Sequence, residues 1–264
     1  MIGPVDLHAR DLGAGGQDPL VVLHGLLGSS RNWTAAGRDL AERFTPIGLD
    51  LRNHGDSPHT ATSSIPEMVG DVLRFMDRQG LDRVHLMGHS LGGKVAMRLA
   101  CLFPERVRLL FVLDIAPRAY PPGSEALEAM RSVDLGRLES RRDADHALAE
   151  RIADPGMRAF LLTNLVQDAD GSYRWRAGLD GLHASLASLR GAALDAGHSF
   201  RRPCGFIVGG RSEYFVAGDK EAVAKHFPLA EITTLESSGH NVHFDARPEF
   251  VRAVFDFHDR NANA

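Results

Sequence analysis

At 264 residues, with 44% hydrophobic and 24% charged side chains, the chain is long and apolar enough to bury one large core, which argues against intrinsic disorder. A formal net charge of -4 gives no electrostatic case for nucleic acid or an anionic membrane as partner. Cys101 and Cys204 stand far apart as neither a redox pair nor a metal-ligand cluster, and no run reaches the roughly 18 apolar residues of a membrane span.

Met1 to Asp6 lacks a basic segment followed by an apolar run, so a soluble cytoplasmic protein without a signal peptide is expected. Val5 to Arg10 reads as an antiparallel edge strand. Apolar runs follow at Leu20–Leu23, Pro46–Leu49, Val84–Met87, Leu109–Leu113, Phe206–Val208 and Ile232–Leu235. They are mostly continuous rather than alternating, the pattern of strands buried on both faces of a parallel sheet. Between them, Ile65 to Gln79 places Ile65, Met68, Val69, Val72, Phe75 and Met76 at helical spacing behind a cap at Ser63 or Ser64. A second helix runs from Leu91 to Phe103 and stops before Pro104, and a third spans Pro248 to Asp259. Strand–helix alternation of this kind specifies an α/β fold, with helices on both faces of an open, mostly parallel sheet.

Pro117 to Phe200 breaks the alternation. No buried strand is expected there, only amphipathic helices at Glu125–Leu135, Ala144–Ile152, Met157–Val166 and Leu179–Leu189. The organisation expected is a core domain of residues 1–116 and 201–264, with residues 117–200 inserted as a helical cap over the sheet's carboxyl edge.

The strongest chemical signal is Gly88-His89-Ser90-Leu91-Gly92, a G-x-S-x-G pattern between an expected strand and an expected helix. Such an elbow exposes the serine on a strained turn, and the helix N-terminus behind it offers N–H groups to a developing oxyanion. The same residues, continued through Gly93 and Lys94, also match the G-x-x-x-x-G-K loop that cradles phosphates. Val95 stands where that loop needs a hydroxyl for Mg²⁺, which weakens a nucleotide-binding reading. A serine needs a base, and His240 in Ser238-Gly239-His240 follows the last expected strand, with His243 as a nearby rival. Oxyanion donors are expected from the backbone N–H groups of Leu91 and of Leu26 in His24-Gly25-Leu26-Leu27-Gly28, with His24 and Gly25 beside the substrate.

Together, His24-Gly25, Asp50 to Pro58, the Ser90 elbow and Gly239-His240 resemble the α/β-hydrolase superfamily. Arg52-Asn53-His54-Gly55, Gly92-Gly93-Lys94, Asp114-Ile115-Ala116-Pro117, Leu162 to Leu165 and Trp175-Arg176 resemble, more narrowly, YbfF-type esterases and their abhydrolase-domain relatives. The resemblance covers nearly the whole chain and implies hydrolysis of carboxylic esters, with acyl-CoA thioesters as further substrates; the mechanism expected from these residues uses no cofactor or metal. Most members of the superfamily carry the acid of the triad in a G-x-x-D loop, where this chain reads Gly209-Gly210-Arg211-Ser212. Asp114, at the end of the strand Leu109–Leu113, is the acid that the resemblance also implies. Glu213 and Asp219 are out of step with the loop pattern, and Asp219 reads better as a solvated charge.

The loop Arg52 to Pro58 is expected to pack beneath the site. Arginines of the cap, from Arg118 to Arg176, read as a solvated face with a minority able to steer a CoA phosphate, and Phe160, Leu161, Leu165 and Trp175 as core or acyl-pocket lining. The reading is an ester- or thioester-cleaving serine hydrolase with Ser90, His240 and Asp114 as triad. Carbon–carbon bond hydrolases, lactonases and cofactor-free perhydrolases share this apparatus, and a non-catalytic ligand-binding module on the same scaffold is a further alternative.

Overall fold

Seven strands form one sheet in the order β1-β3-β2-β4-β5-β8-β9, which places β4 at its centre. These are β1 (Ala9–Asp11), β2 (Asp18–Leu23), β3 (Phe44–Leu49), β4 (Val84–His89), β5 (Val107–Leu113), β8 (Cys204–Gly209) and β9 (Ala230–Leu235). The computed structural model describes residues 3–261; Met1 and Ile2, where the segment read for a signal peptide begins, lie outside them. β1 is antiparallel to β3, and every other pairing in the sheet is parallel. Helices α1 (Thr34–Leu40), α2 (Ile65–Arg78), α3 (Leu91–Leu102), α8 (Asp219–His226), α9 (Val242–Asp245) and α10 (Arg247–Asn261) connect or follow these strands. The chain therefore has the α/β-hydrolase fold that its residues suggest.

Continuous burial of β4 and β8 follows from helices on both faces, since parallel strands so covered have no solvent side. Two core clusters result. One packs Met68, Val72 and Met76 of α2 with Val95 and Leu99 of α3; the other packs Trp33, Phe44 and Phe111 with Phe250 and Val254 of α10. α2 begins where expected, because Ser64 Oγ accepts from Glu67 N while Glu67 Oε2 accepts from Ser64 N.

Three expectations are corrected. The edge strand covers Ala9–Asp11 rather than Val5 to Arg10. β9 is an edge strand with Glu231, Thr233 and Thr234 exposed, so its apolar start does not signal burial on both faces. The segment between β5 and β8 is not wholly helical. It holds α4 (Glu125–Ser132), α5 (Arg141–Ala149), α6 (Pro155–Leu162) and α7 (Leu179–Arg190), and between α6 and α7 an antiparallel hairpin of β6 (Leu165–Gln167) and β7 (Tyr173–Trp175). Strands of three residues are too short to show a period of two, and the first begins inside the expected helix Met157–Val166.

The two ends of this insertion are stitched together. Tyr120 N donates to Arg190 O at 2.8 Å and Ala193 N to Pro117 O at 2.9 Å. β5 and β8 remain direct neighbours, with Leu113 opposite Ile207. Successive carboxyl ends of β4, β5 and β8 thus lie side by side, and the residues just beyond them form the site.

Candidate active site

Ser90 follows β4 directly, with φ 52° and ψ -115°, a left-handed conformation that a serine adopts only under constraint. The constraint is steric and local. A Cβ at Gly88 would meet Gly92 O at 2.2 Å, and one at Gly92 would meet Leu23 O at 2.4 Å, so strand and helix can close on Ser90 only with glycine at both places. Ser90 N donates to Leu113 O at 3.0 Å, fixing the elbow to the end of β5.

The loop after β2 runs alongside. A Cβ at Gly25 would lie 3.0 Å from His89 Nδ1 and 3.3 Å from Ser90 Cβ, so this backbone approaches the serine closely. Gly92 N donates to His24 O at 3.1 Å and Gly28 N to Gly25 O at 3.0 Å, which holds the loop's turn. Leu26, Ser90 and Leu91 share one narrow cavity of about 30 Å³ with Lys94, Ile115, Tyr120, Leu189, Arg190 and Tyr214. Among the described residues the N–H groups of Leu26 and Leu91 have no hydrogen-bond partner.

His24 itself does not reach this cavity, which corrects its expected place beside the substrate. It is 1% exposed; its Nδ1 donates to Gly25 O at 2.8 Å, and its Nε2 accepts from Leu51 N at 3.0 Å. Burial lowers its pKa and keeps the ring neutral, as this pair of bonds requires. His24 is a brace for the loop. Asp50 adds to it by accepting from Ser30 N at 2.6 Å and Asp56 N at 2.8 Å, and Asn164 of the insertion donates to Leu27 O at 2.8 Å.

Asp114 and His240 meet on the other side of the elbow. Asp114 is fully buried at φ 49°, and its Oδ2 accepts from His240 Nδ1 at 2.7 Å. Gly209 N donates to Asp114 Oδ1 at 2.8 Å, and Ser212 Oγ donates to Oδ2. Ser212, at the loop position where most of the superfamily carries an aspartate, therefore donates to Asp114 at the end of the neighbouring strand. Only its position in the pattern signalled it in sequence.

His240 is held from two further directions. His89 Nε2 donates to its carbonyl at 2.9 Å, and the Tyr214 ring stacks on its imidazole with centroids 3.8 Å apart. With Nδ1 spent on Asp114, Nε2 is the nitrogen free to take a proton. Ser90 Oγ makes no hydrogen bond to His240 among the described residues; in hydrolases without substrate this contact is commonly loose.

The rivals separate by burial. His243 is 7% exposed and stacked on Trp33 at 4.1 Å, and burial pushes its pKa down to about 3, so it packs rather than titrates. Glu213 is exposed. Asp219 is not the solvated charge expected: it is buried, accepts from Val216 N at 2.9 Å and pairs with Arg118 at 2.7 Å. That arrangement closes the first turn of α8 and lies apart from His240.

Lys94, which the phosphate-loop overlap would aim at a nucleotide, donates instead to the carbonyls of Leu189, Arg190 and Gly191 at the end of α7. Burial, with Arg190 and Arg118 nearby, lowers its pKa to about 7. Leu161, Leu165 and Trp175 belong to the core with Phe160 packed against it, and none lines the Ser90 cavity. A roomier groove of about 600 Å³, lined by Asn53, Met130, Trp175 and Leu179 among others, contains none of the residues around Ser90. Most arginines of the insertion have acidic partners, as with Arg158–Asp145, Arg174–Asp168 and Arg176–Asp56.

Residues 18–247 match the sequence pattern of the alpha/beta hydrolase fold family. The chain belongs to the α/β-hydrolase family. Among its members, this α/β hydrolase is 35% identical over 247 residues to the sn-1-specific diacylglycerol lipase ABHD11 of Mus musculus, across 90% of this chain and 80% of that protein. It is 31% identical to Esterase YbfF of Escherichia coli, across 89% of this chain and 91% of that one. A solved marine microorganism esterase superposes with a TM-score of 0.92 at 31% identity, covering 96% of this chain and 99% of that structure.

Proposed function

We propose that Ser90 is the nucleophile, His240 the general base and Asp114 the orienting acid of an ester-cleaving serine hydrolase. The observation that carries the assignment is the buried Asp114–His240 hydrogen bond of 2.7 Å, which fixes the imidazole tautomer with Nε2 as the proton acceptor. Ser90 Oγ attacks the ester carbonyl while His240 takes its proton. The N–H groups of Leu26 and Leu91 stabilise the oxyanion in a cavity lined mainly by apolar residues, where each such bond is worth more than in water. His240 then protonates the leaving alcohol, and water repeats the cycle on the acyl-enzyme.

Ester cleavage is favoured over carbon–carbon bond cleavage or lactonase chemistry because the relatives above 30% identity include ones named lipase and esterase. Acyl-CoA thioesters are part of the same reading, supported by Arg190, which lines the Ser90 cavity without an acidic partner among the described residues. Residues 117–200 serve as the cap that shapes this cavity, a role supported by Leu189 and Arg190 in its wall. A reducing, cytoplasmic setting fits the unbridged Cys101 and Cys204. Among the described residues no helix is long and apolar enough to cross a membrane.

The test is a panel of p-nitrophenyl esters and acyl-CoAs run on wild type and Ser90→Ala. Ester turnover is expected in wild type, with kcat about 10⁴-fold to 10⁶-fold lower in the variant. Comparable turnover in Ser90→Ala sinks the assignment.

A further inference from the structure

At the amino edge of the sheet, opposite Ser90, Asp18 opens β2, His85 lies second in β4, and His258 lies in the last turn of α10. One ligand atom from each comes within 4.8 Å of the others. His85 Nε2 is 3.8 Å from Asp18 Oδ2. His85 is 4% exposed, yet neither ring nitrogen has a hydrogen-bond partner among the described residues. A buried imidazole left with two open nitrogens is costly unless something else satisfies it.

We propose that Asp18, His85 and His258 bind a divalent transition metal of the zinc class, with water completing the coordination. Two imidazoles and one carboxylate are a donor set that zinc accepts, and a tetrahedral zinc site puts its ligand atoms about 3.3 Å apart. The 3.8 Å pair closes to that spacing by a shift of about 0.5 Å. His258 is already oriented, since its Nδ1 donates to Asp259 Oδ1 at 3.0 Å and leaves Nε2 free, the carboxylate–histidine arrangement that steadies metal-binding rings. Phe44 packs edge-on against both imidazoles, with centroids 5.3 Å and 4.8 Å away, and shields the site on one side.

Charges around the cluster divide cleanly. Arg108 lies 3.5 Å from Asp18 Oδ1, which leaves Oδ2 facing His85. A bound metal joins β2, β4 and the C-terminal α10, elements distant in sequence. It acts on stability and not on chemistry, because His85 near the start of β4 and Ser90 just past its end lie about 16 Å apart. A second group, His8, Asp50 and Asp56, offers less, since both Asp50 oxygens already accept backbone N–H groups.

Full-length protein stripped with a chelator and titrated with zinc chloride by calorimetry tests the site. One equivalent bound per chain and a raised Tm are expected. His258→Ala and the isosteric Asp18→Asn should each weaken zinc binding at least tenfold, with ester turnover within twofold of wild type. His8→Ala should bind zinc as wild type does. Absence of binding, unchanged affinity in both His258→Ala and Asp18→Asn, or a loss that follows His8→Ala overturns the proposal.

Discussion

Two carboxylates competed for one role, and their surroundings distinguish them. Asp114 accepts from Gly209 N, Ser212 Oγ and His240 Nδ1, whereas Asp219 is spent on Val216 N and Arg118. Asp114→Asn presents an amide that cannot hold the productive tautomer, and kcat should fall by about 10⁴. Asp219→Asn should keep kcat within about threefold while lowering Tm, because it loosens α8 and not the imidazole. Steady-state kinetics and thermal melts on the two variants separate these outcomes; a catalytic defect in Asp219→Asn alone reverses the assignment. The placing of Ser90, His240 and Asp114 at the carboxyl edge was legible, because Ser90 and Asp114 directly follow apolar runs and His240 lies in the small-residue loop after the last one. Ser212 and Lys94 were not, since each acquires its role from partners almost 100 residues away in the chain. His24 was misread for the same reason: its partner Leu51 lies on the adjacent strand's loop, and nothing beside it in sequence shows that both ring nitrogens are taken.

At the scale of elements, the loop after β3 is fastened to α2 by Arg52. This guanidinium is fully buried and pairs with Asp71 through Nε and Nη2, both at 2.6 Å, with Glu67 at 3.2 Å from Nη1. Burial nevertheless raises the Asp71 pKa, so desolvation outweighs the attraction to Arg52. The pair is consequently a poor source of net stability but expensive to break. Asp71→Asn should destabilise by about 3–5 kcal/mol in urea unfolding, as it leaves a buried cation half-paired. A change below about 1 kcal/mol would contradict this account. Six strands and α2, α3 and α10 were legible, because buried strands and amphipathic helices write their environment into local pattern, though the last of those strands, β9, is an exposed edge. The β6–β7 hairpin, α1 and α8 were not. The hairpin strands are three residues each, and α8 buries Asp219, Val223 and His226, of which only Val223 is apolar, so neither presents a periodic apolar face.

For the whole molecule, the histidines set the acid limit. His24, His54, His89 and His243 are all held neutral by burial, with His54 and His243 pushed down to about 3. The unfolded chain takes up these protons below about pH 6.5, whereas the folded chain takes them up only below each lowered value. Between those limits the unfolded state binds more protons, so stability falls as pH drops, by up to about 1.4 kcal/mol per pH unit for each histidine. Urea midpoints at pH 7 and pH 5 should differ sharply, and His243→Gln should flatten the difference. Equal midpoints at the two pH values would show that these rings are not buried neutral.

Tyr120–Arg190 and Ala193–Pro117 zip the insertion shut where it leaves and rejoins the sheet, beside the paired strands β5 and β8. Its length and contents thus add little to the entropy of closing the loop, since neighbouring strands already fix the two ends a strand spacing apart. A change in the length or sequence of the segment between them is therefore expected to leave the joints, and Asp114 just before the first of them, in place.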